Sequence, residues 1–151
     1  MNIILIGYGN ELRGDDGLGP CIARTIADRA APQVRTLVVH QLTPELADDV
    51  AGADLVILVD ACFPGDAGKV RMQKVECATA SGLAHTSEPR GLLGLCRALY
   101  RHTPQAWLVT VAGDDFSLGD GLSTSAQANA AVAVKEIEAL IEKHLAAISV
   151  T

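Results

Sequence analysis

The strongest constraint on the fold of this chain is the uninterrupted apolar run Leu-Val-Ile-Leu-Val at residues 55–59, which ends at Asp60. A short run of this kind, without polar alternation, is typical of a strand buried on both faces of a parallel sheet. Residues 2–7 (Asn-Ile-Ile-Leu-Ile-Gly) repeat the pattern and lead into a glycine-rich turn. The two runs, separated by segments with helical spacing, predict an α/β fold with a parallel sheet.

The segments around these runs predict alternating helices and strands. Residues 69–75 alternate apolar and polar side chains, so we expect a half-exposed, antiparallel strand at the edge of the sheet. Thr43 followed by Pro44 indicates an N-cap and the first residue of a short helix. The other predicted features are a helix from about Gly17 to Ala30 with Pro20 in its first turn, a strand over 34–39, the end of the short helix near Val50, a helix opened by Glu88-Pro89 and ended before Pro104, a strand over 106–112, and a long last helix capped by Ser123 or Ser125.

Length and composition fit one packed domain. The chain has 151 residues, of which 49% are apolar and only 3% aromatic, so its core has to be built from Val, Ile, Leu and Ala. We predict a single domain over residues 1–151. It is a three-layer α/β/α sandwich around a five-stranded, mostly parallel twisted sheet with one antiparallel edge strand.

Charge and hydropathy argue against several functional classes. The net charge is −6 without a Lys/Arg cluster, which argues against nucleic-acid binding. No apolar run reaches the roughly 18–20 residues that span a bilayer, and the first residues do not resemble a signal peptide. We therefore expect a cytoplasmic protein without a membrane partner. The cysteines match no zinc spacing, and we expect reduced packing residues at Cys21, Cys62, Cys77 and Cys96.

Polar side chains cluster where the predicted parallel strands end, and open α/β sheets bind ligands at that edge. One of Asp15 and Asp16 is expected to cap the following helix, which leaves the other as a surplus charge available to a cation. Asp60, at the rim of the core, is the second functional candidate. The full set after the strands is Gly9, Asn10, Asp15, Asp16, Asp60, Asp114 and Asp115.

A histidine can complete a mixed oxygen and nitrogen ligand set at this edge. His85 precedes the helix that opens at Pro89, and His40, at the end of the second strand, is its only rival. His102 and His144 are explained by positions near helix C-termini, where a cation suits the dipole. Two carboxylates and one imidazole suit borderline divalent metals such as nickel and zinc, and three protein ligands leave positions open for reaction.

Other chemistries fit the sequence less well. A dinucleotide-binding turn at Gly7-x-Gly9 requires a third glycine where Leu12 stands, and two carboxylates would face the pyrophosphate. The chain has neither the H-E-x-x-H motif of zincins nor the G-x-S-x-G turn of hydrolases. Residue counts do not exclude a Ser-His-Asp triad, although no spacing indicates one.

Three blocks of the sequence resemble the hydrogenase maturation endopeptidases. Residues 7–20 (GYGNELRGDDGLGP) match the opening signature of that family, G-x-G-N-x-L-x-x-D-[DE]-x-x-G. The apolar strand ending in Asp60-Ala61 is similar to its second block, and residues 85–89 (His-Thr-Ser-Glu-Pro) are similar to its third. Leu122-Ser123 before the last helix also fits. Glu11 and Ser87 depart from the residues that the family usually carries at those positions, and neither is a ligand position.

The resemblance implies an activity and a site. Members of this family remove a C-terminal extension from the large-subunit precursor of [NiFe]-hydrogenase after nickel insertion, and the resemblance implies the same for this chain. Nickel is then supplied by the substrate, and no permanently bound cofactor is expected. The metal-contacting and catalytic residues of the family carry over onto Asp16, Asp60 and His85. The resemblance is equally consistent with a nickel ion that polarises the scissile carbonyl, activates a water or serves recognition alone.

Two alternative functions remain at this stage. A non-enzymatic, nickel-dependent chaperone or docking factor for the same precursor would use the same three residues and would leave the mass of the precursor unchanged. A nucleotide-binding module would be protected by NAD or ATP, and we expect no such protection.

Overall fold

The computed structural model describes residues 1–29, 31–65, 68–77 and 86–149, and the predicted α/β sandwich is confirmed. A 3₁₀ turn at Gly14–Gly17, which the sequence pattern did not predict, precedes the first helix. The strands are β1 (Ile3–Tyr8), β2 (Val34–Val39), β3 (Leu55–Cys62), β4 (Val70–Lys74) and β5 (Gln105–Ala112). The helices are α1 (Leu18–Arg29), α2 (Leu46–Ala51), α3 (Pro89–Tyr100) and α4 (Thr124–Ser149).

The strands form one sheet in the order β2-β1-β3-β5-β4. Strands β2, β1, β3 and β5 run parallel to one another. Strand β4 pairs antiparallel with β5 at the edge, as the alternation in residues 69–75 predicted. After β1 the chain continues to β2, which lies on the outer side of β1 in the strand order. After β3 it continues towards β5, which lies in the opposite direction along the sheet. The cleft at the carboxyl ends of β1 and β3 is therefore the switch point at which open α/β sheets bind ligands.

Helices cover both faces of the sheet, and each face has its own apolar core. Leu5 and Ile57 pack with α1 and α4 on one face, whereas Ile6 and Leu58 pack with α2 and α3 on the other. Successive strand residues point to opposite faces, so a strand covered on both sides needs a continuous apolar run. Burial of each such side chain contributes roughly 1.5–3 kcal/mol.

Strand β3 extends further than its apolar run predicts. We expected it to stop at Asp60, but its ladder to β5 continues from Asp60, which pairs with Thr110, to Cys62, which pairs with Ala112. Pairing with the neighbouring strand, rather than apolar character, determines where β3 ends. Asp60 therefore lies within the sheet, and pairing with β5 fixes its backbone.

Helix α2 begins later than predicted. We expected Thr43 as the N-cap and Pro44 as the first helical residue, but the N-cap is Glu45. The carbonyl of Thr43 accepts a hydrogen bond from the amide of Leu46 at 3.1 Å, so Thr43 and Pro44 belong to a turn in front of the helix.

The other helix boundaries agree closely with the predictions. Pro20 lies in the first turn of α1, and Pro89 is the first residue of α3. The Ser123 hydroxyl accepts a hydrogen bond from the Ala126 amide at 3.2 Å and so caps α4. No helix in the described part of the chain is long and apolar enough to cross a membrane. All four cysteines lie within the described residues, and none of them forms a disulfide.

Candidate active site

The turn after β1 brings Asp16 back to the end of that strand. Gly9 has a φ of +150°, and a Cβ at this position would lie 2.0 Å from the carbonyl oxygen of Asp16, so only glycine fits. The Asn10 amide donates a hydrogen bond to Oδ2 of Asp16 at 2.6 Å. The Leu12 amide in turn donates to Oδ1 of Asn10 at 3.0 Å. The Asp16 carboxylate is therefore fixed at the carboxyl end of β1.

Asp60 occupies the matching place on β3. Gly7 pairs with Val59, which makes Tyr8 the neighbour of Asp60 on the adjacent strand. The Tyr8 hydroxyl donates a hydrogen bond to the Asp60 carboxylate, and the Ala61 amide donates to Oδ1 of Asp60 at 2.9 Å.

The charge of Asp60 responds to this environment. Burial and the nearby Asp16 carboxylate raise the pKa of Asp60 to about 6, although its hydrogen bonds from Ala61 and Tyr8 act in the opposite direction. Burial and the Asp60 charge also raise the pKa of the Tyr8 phenol, which therefore stays protonated as a donor.

Of the three residues proposed for the site, the structure brings Asp16 and Asp60 together. Both side chains are half-buried, and Asp16 lies close enough for its charge to raise the pKa of Asp60. Two carboxylates in this arrangement repel each other unless a cation or a donor compensates them. The switch point of the sheet therefore carries an electrostatic preference for a cation.

The third proposed residue, His85, lies outside the described residues. Among those that are described, no three His, Cys, Asp or Glu side chains are placed to hold a metal ion. His40 is exposed at the end of β2, and β1 separates its strand from Asp60. His102 follows α3, where its Nε2 lies 3.1 Å from the carbonyl oxygen of Ala53.

Asp15 has a role that the sequence did not reveal. We expected Asp15 or Asp16 to cap a helix, but the N-cap of the 3₁₀ turn is Arg13, and the carboxylate of Asp15 bonds to a distant loop. This carboxylate is completely buried and accepts hydrogen bonds from the Asp114 and Asp115 amides at 2.7 and 2.9 Å. It also accepts bonds from the amide and hydroxyl of Ser123, at 2.7 and 2.6 Å.

These bonds determine the charge state of Asp15. Burial alone would raise its pKa, but the bonds, led by that from the Ser123 hydroxyl, outweigh burial and lower the pKa below its ordinary value of 3.8. The buried carboxylate thus stays ionised and ties the turn that bears Asp16 to the start of α4. The sequence predicted Ser123 or Ser125 as the cap of the last helix, but only the structure shows that Ser123 also holds Asp15.

No protein-family model matches the chain, and no curated protein matches it in sequence. Solved structures do match. Hydrogenase maturating endopeptidase HybD from E. coli has a TM-score of 0.72 and 22% identity, over 95% of this chain and 94% of its own. [NiFe] hydrogenase maturation protease HybD from Thermococcus kodakarensis has a TM-score of 0.73 and 23% identity, over 93% and 99%. The maturation protease HycI of that organism has a TM-score of 0.70 and 20% identity, over 93% and 92%. The chain has the fold of the hydrogenase maturation endopeptidases.

Within this endopeptidase fold, the loop over residues 113–121 is built from its own polar groups. Asp114 and Asp115, which we predicted as site candidates, have exposed side chains. Oδ1 of Asp115 accepts hydrogen bonds from the amide and the hydroxyl of Ser117, which lower the pKa of Asp115. The two aspartates therefore contribute through their backbone amides, which hold Asp15.

A second connection joins this loop to the turn after β1. The Gly14 amide donates to the carbonyl of Gly119 at 2.9 Å, and the Gly119 amide donates to the carbonyl of Leu12 at 2.9 Å. Glu11, which departs from the residue expected in the endopeptidase signature, forms an ion pair with Arg24 of α1. Both edges of the turn that carries Asp16 are thereby anchored.

Proposed function

We propose that this chain is an endopeptidase that removes the C-terminal extension of a [NiFe]-hydrogenase large-subunit precursor after nickel insertion. The observation that carries the proposal is the pair Asp16 and Asp60 at the switch point of the sheet. The fold supports it, because similar solved structures bear the names of hydrogenase maturation endopeptidases and proteases.

The two carboxylates recognise the precursor through its nickel ion. Carboxylate oxygens are hard ligands, which contact a borderline ion without competing strongly against thiolates that hold it in the substrate. A bound cation also removes the repulsion between Asp16 and Asp60, so the site gains most from a precursor that carries its metal. His85 completes the proposed ligand set through its place in the third sequence block, four residues before α3 begins.

Hydrolysis adds one water molecule across the scissile amide. The carbonyl carbon receives the hydroxyl group, and the leaving nitrogen receives a proton. Asp16 or Asp60, whichever is not fully engaged at the nickel ion, is suited to accept a proton from the attacking water. The nickel of the substrate supplies a positive charge close to the bond that is cut.

The test compares nickel-loaded with nickel-free precursor, using mass spectrometry of the large subunit. We expect loss of the C-terminal extension from the nickel-loaded form alone. Equal cleavage of both forms would contradict nickel recognition. Binding of the nickel-loaded form without any change in its mass would favour a non-enzymatic docking factor instead.

Variants of the carboxylates test the site. Asp16→Asn and Asp60→Asn each keep an oxygen acceptor for their backbone donors but remove the charge, and we expect both to abolish processing. The matched control is Asp28→Asn, which removes an exposed carboxylate near the other end of α1. Full processing by either site variant would contradict the assignment.

A further inference from the structure

The three most exposed large apolar side chains in the described residues all lie at the carboxyl edge of the sheet. Leu118 is 77% exposed, Phe63 74% and Leu12 64%. The next most exposed is Leu99 of α3, at 62%. An aromatic-poor protein thus leaves one of its two phenylalanines in solvent beside its candidate site.

A ring contact and a backbone hydrogen bond bring together the segments that carry these side chains. The rings of Phe63 and Phe116 lie 4.5 Å apart between centroids, at an angle of 48°. Leu118 follows on the same loop as Phe116, and the bond from the Gly119 amide to the carbonyl of Leu12 brings the turn after β1 alongside it. We name this surface the rim patch; it consists of Leu12, Phe63, Phe116 and Leu118.

The rim patch flanks the two carboxylates. Phe63 directly follows β3, which carries Asp60, and Leu12 lies in the turn that carries Asp16. Side chains this exposed contribute little to the stability of the fold, because they gain almost nothing from burial. Clustered exposed apolar side chains mark interaction surfaces, and aromatic residues are enriched among those that contribute most to binding.

We propose that the rim patch docks an apolar surface of the hydrogenase precursor next to its nickel ion, an inference that rests on the proposed function. A partner that delivers a cation to Asp16 and Asp60 has to cover this edge. The edge combines a negative centre with an apolar rim, and its complement is a cation surrounded by apolar residues. A second copy of this chain is a poor occupant, because a two-fold contact here would bring two acidic centres together in a protein of net charge −6.

The experiment measures KM and kcat for nickel-loaded precursor with Phe63→Ser, Leu118→Ser and the double variant. Because docking contributes equally to the ground state and the transition state, we expect the double variant to raise KM at least tenfold and to change kcat less than twofold. The matched control is Leu99→Ser, which removes an apolar side chain of similar exposure from α3 and should leave both constants unchanged. Thermal melting should be the same for all four variants.

Several outcomes would overturn the docking role. One is an unchanged KM in the double variant, another is an equal rise in Leu99→Ser, and a third is a loss confined to kcat. Direct binding of nickel-loaded precursor to immobilised protein separates this inference from the proposed function. If the wild type binds the precursor without cleaving it, the proposed protease activity fails, and weaker binding by the double variant still supports docking. Equal binding by the wild type and the double variant, or no binding by the wild type, overturns the docking role. A dimer that the wild type forms in sedimentation and the double variant does not form also overturns it.

Discussion

Ser123 holds both oxygens of the buried Asp15 carboxylate, through its amide at 2.7 Å and its hydroxyl at 2.6 Å. The two residues are 108 positions apart in the chain. Through this contact the turn that carries Asp16 is fixed to the first turn of α4. The adjacent aspartates therefore have different roles, since Asp15 is turned into the protein and Asp16 towards the cleft beside Asp60.

Loss of the Asp15 carboxylate should strongly destabilise the fold. Asp15→Ala leaves the donors of Ser123, Asp114 and Asp115, which point at a completely buried carboxylate, without their acceptor, and each donor that stays shielded from water costs about 1–3 kcal/mol. We expect the free energy of unfolding in urea to fall by about 3 kcal/mol or more. Asp120→Asn, which changes an exposed carboxylate in the same loop, should alter it by less than about 0.5 kcal/mol.

The contribution of Asp15 should depend on pH in the acid range. Its folded pKa lies below the ordinary value of 3.8, so the stabilisation is present above about pH 4 and is lost as pH falls through the folded pKa. The difference in unfolding free energy between the wild type and Asp15→Asn should therefore be largest near neutral pH and should shrink below pH 4. A difference that is constant from pH 7 to pH 3 would show that the charge of Asp15 is not what the bonds stabilise.

The contribution of Asp60 to stability should change with pH in the opposite direction to that of Asp15. Its folded pKa of about 6 lies above the ordinary value of 3.8, so its favourable contribution is complete below about pH 4 and is lost as pH rises through 6. Asp60→Asn should therefore be more stable than the wild type at pH 7.5 and equally stable at pH 3.5, as measured by thermal melting without precursor. A variant that is less stable at pH 7.5 would contradict the burial of an unfavourable charge.

Removal of the Tyr8 hydroxyl should raise the pKa of Asp60 further. The hydrogen bond from Tyr8 favours the ionised carboxylate, so Tyr8→Phe removes a stabilising donor from the charged form. The carboxyl carbon of Asp60, followed by NMR during a pH titration, should titrate at a higher pH than in the wild type. The control is Tyr100→Phe, which removes the hydroxyl that bonds to Asp48 at the surface and should leave the titration of Asp60 unchanged.

Substitution of Gly9 should disturb the turn that positions Asp16. In Gly9→Ala the added Cβ would overlap the Asp16 carbonyl, and the positive φ adds strain. We expect loss of precursor processing and a lower melting temperature. Gly68→Ala is the matched control for the strain alone, since Gly68 also has a positive φ but a Cβ there would meet no atom within 4 Å. Normal processing by Gly9→Ala would show that the turn tolerates a side chain.

Local patterns in the sequence predicted most of the fold. The apolar run at 55–59 required a strand covered on both faces, and the alternation in 69–75 predicted the antiparallel edge. One error lies where pairing between distant segments decides, and the other lies at a local turn in front of a helix. β3 continues past Asp60 because β5 pairs with it, and α2 begins after Thr43 because the preceding residues form a turn.

Part of the candidate site was also predictable from the order of elements along the chain. Residues that follow parallel strands share one edge, which brought Asp16 and Asp60 into one hypothesis without any knowledge of their distance. The division of roles between Asp15 and Asp16 was not predictable, because the partners of Asp15 lie in a loop about a hundred residues away. Phe63 and Leu118 stand out only through their exposure in the folded chain, since their neighbours in the sequence give no hint of a shared surface.

The hydrogen bonds between Asp15 and Ser123 also determine when the turn with Asp16 can be completed during synthesis. A ribosome releases the chain from its N-terminus, so the turn with Asp16 emerges long before the residues that satisfy its buried neighbour. Until Ser123 has been made, Asp15 lacks its hydroxyl donor, and the turn has no anchor on that side. The cleft beside Asp60 is therefore completed only by the last quarter of the chain. A nascent fragment without that quarter carries Asp16 and Asp60 but lacks the residues that hold the turn of Asp16 in place.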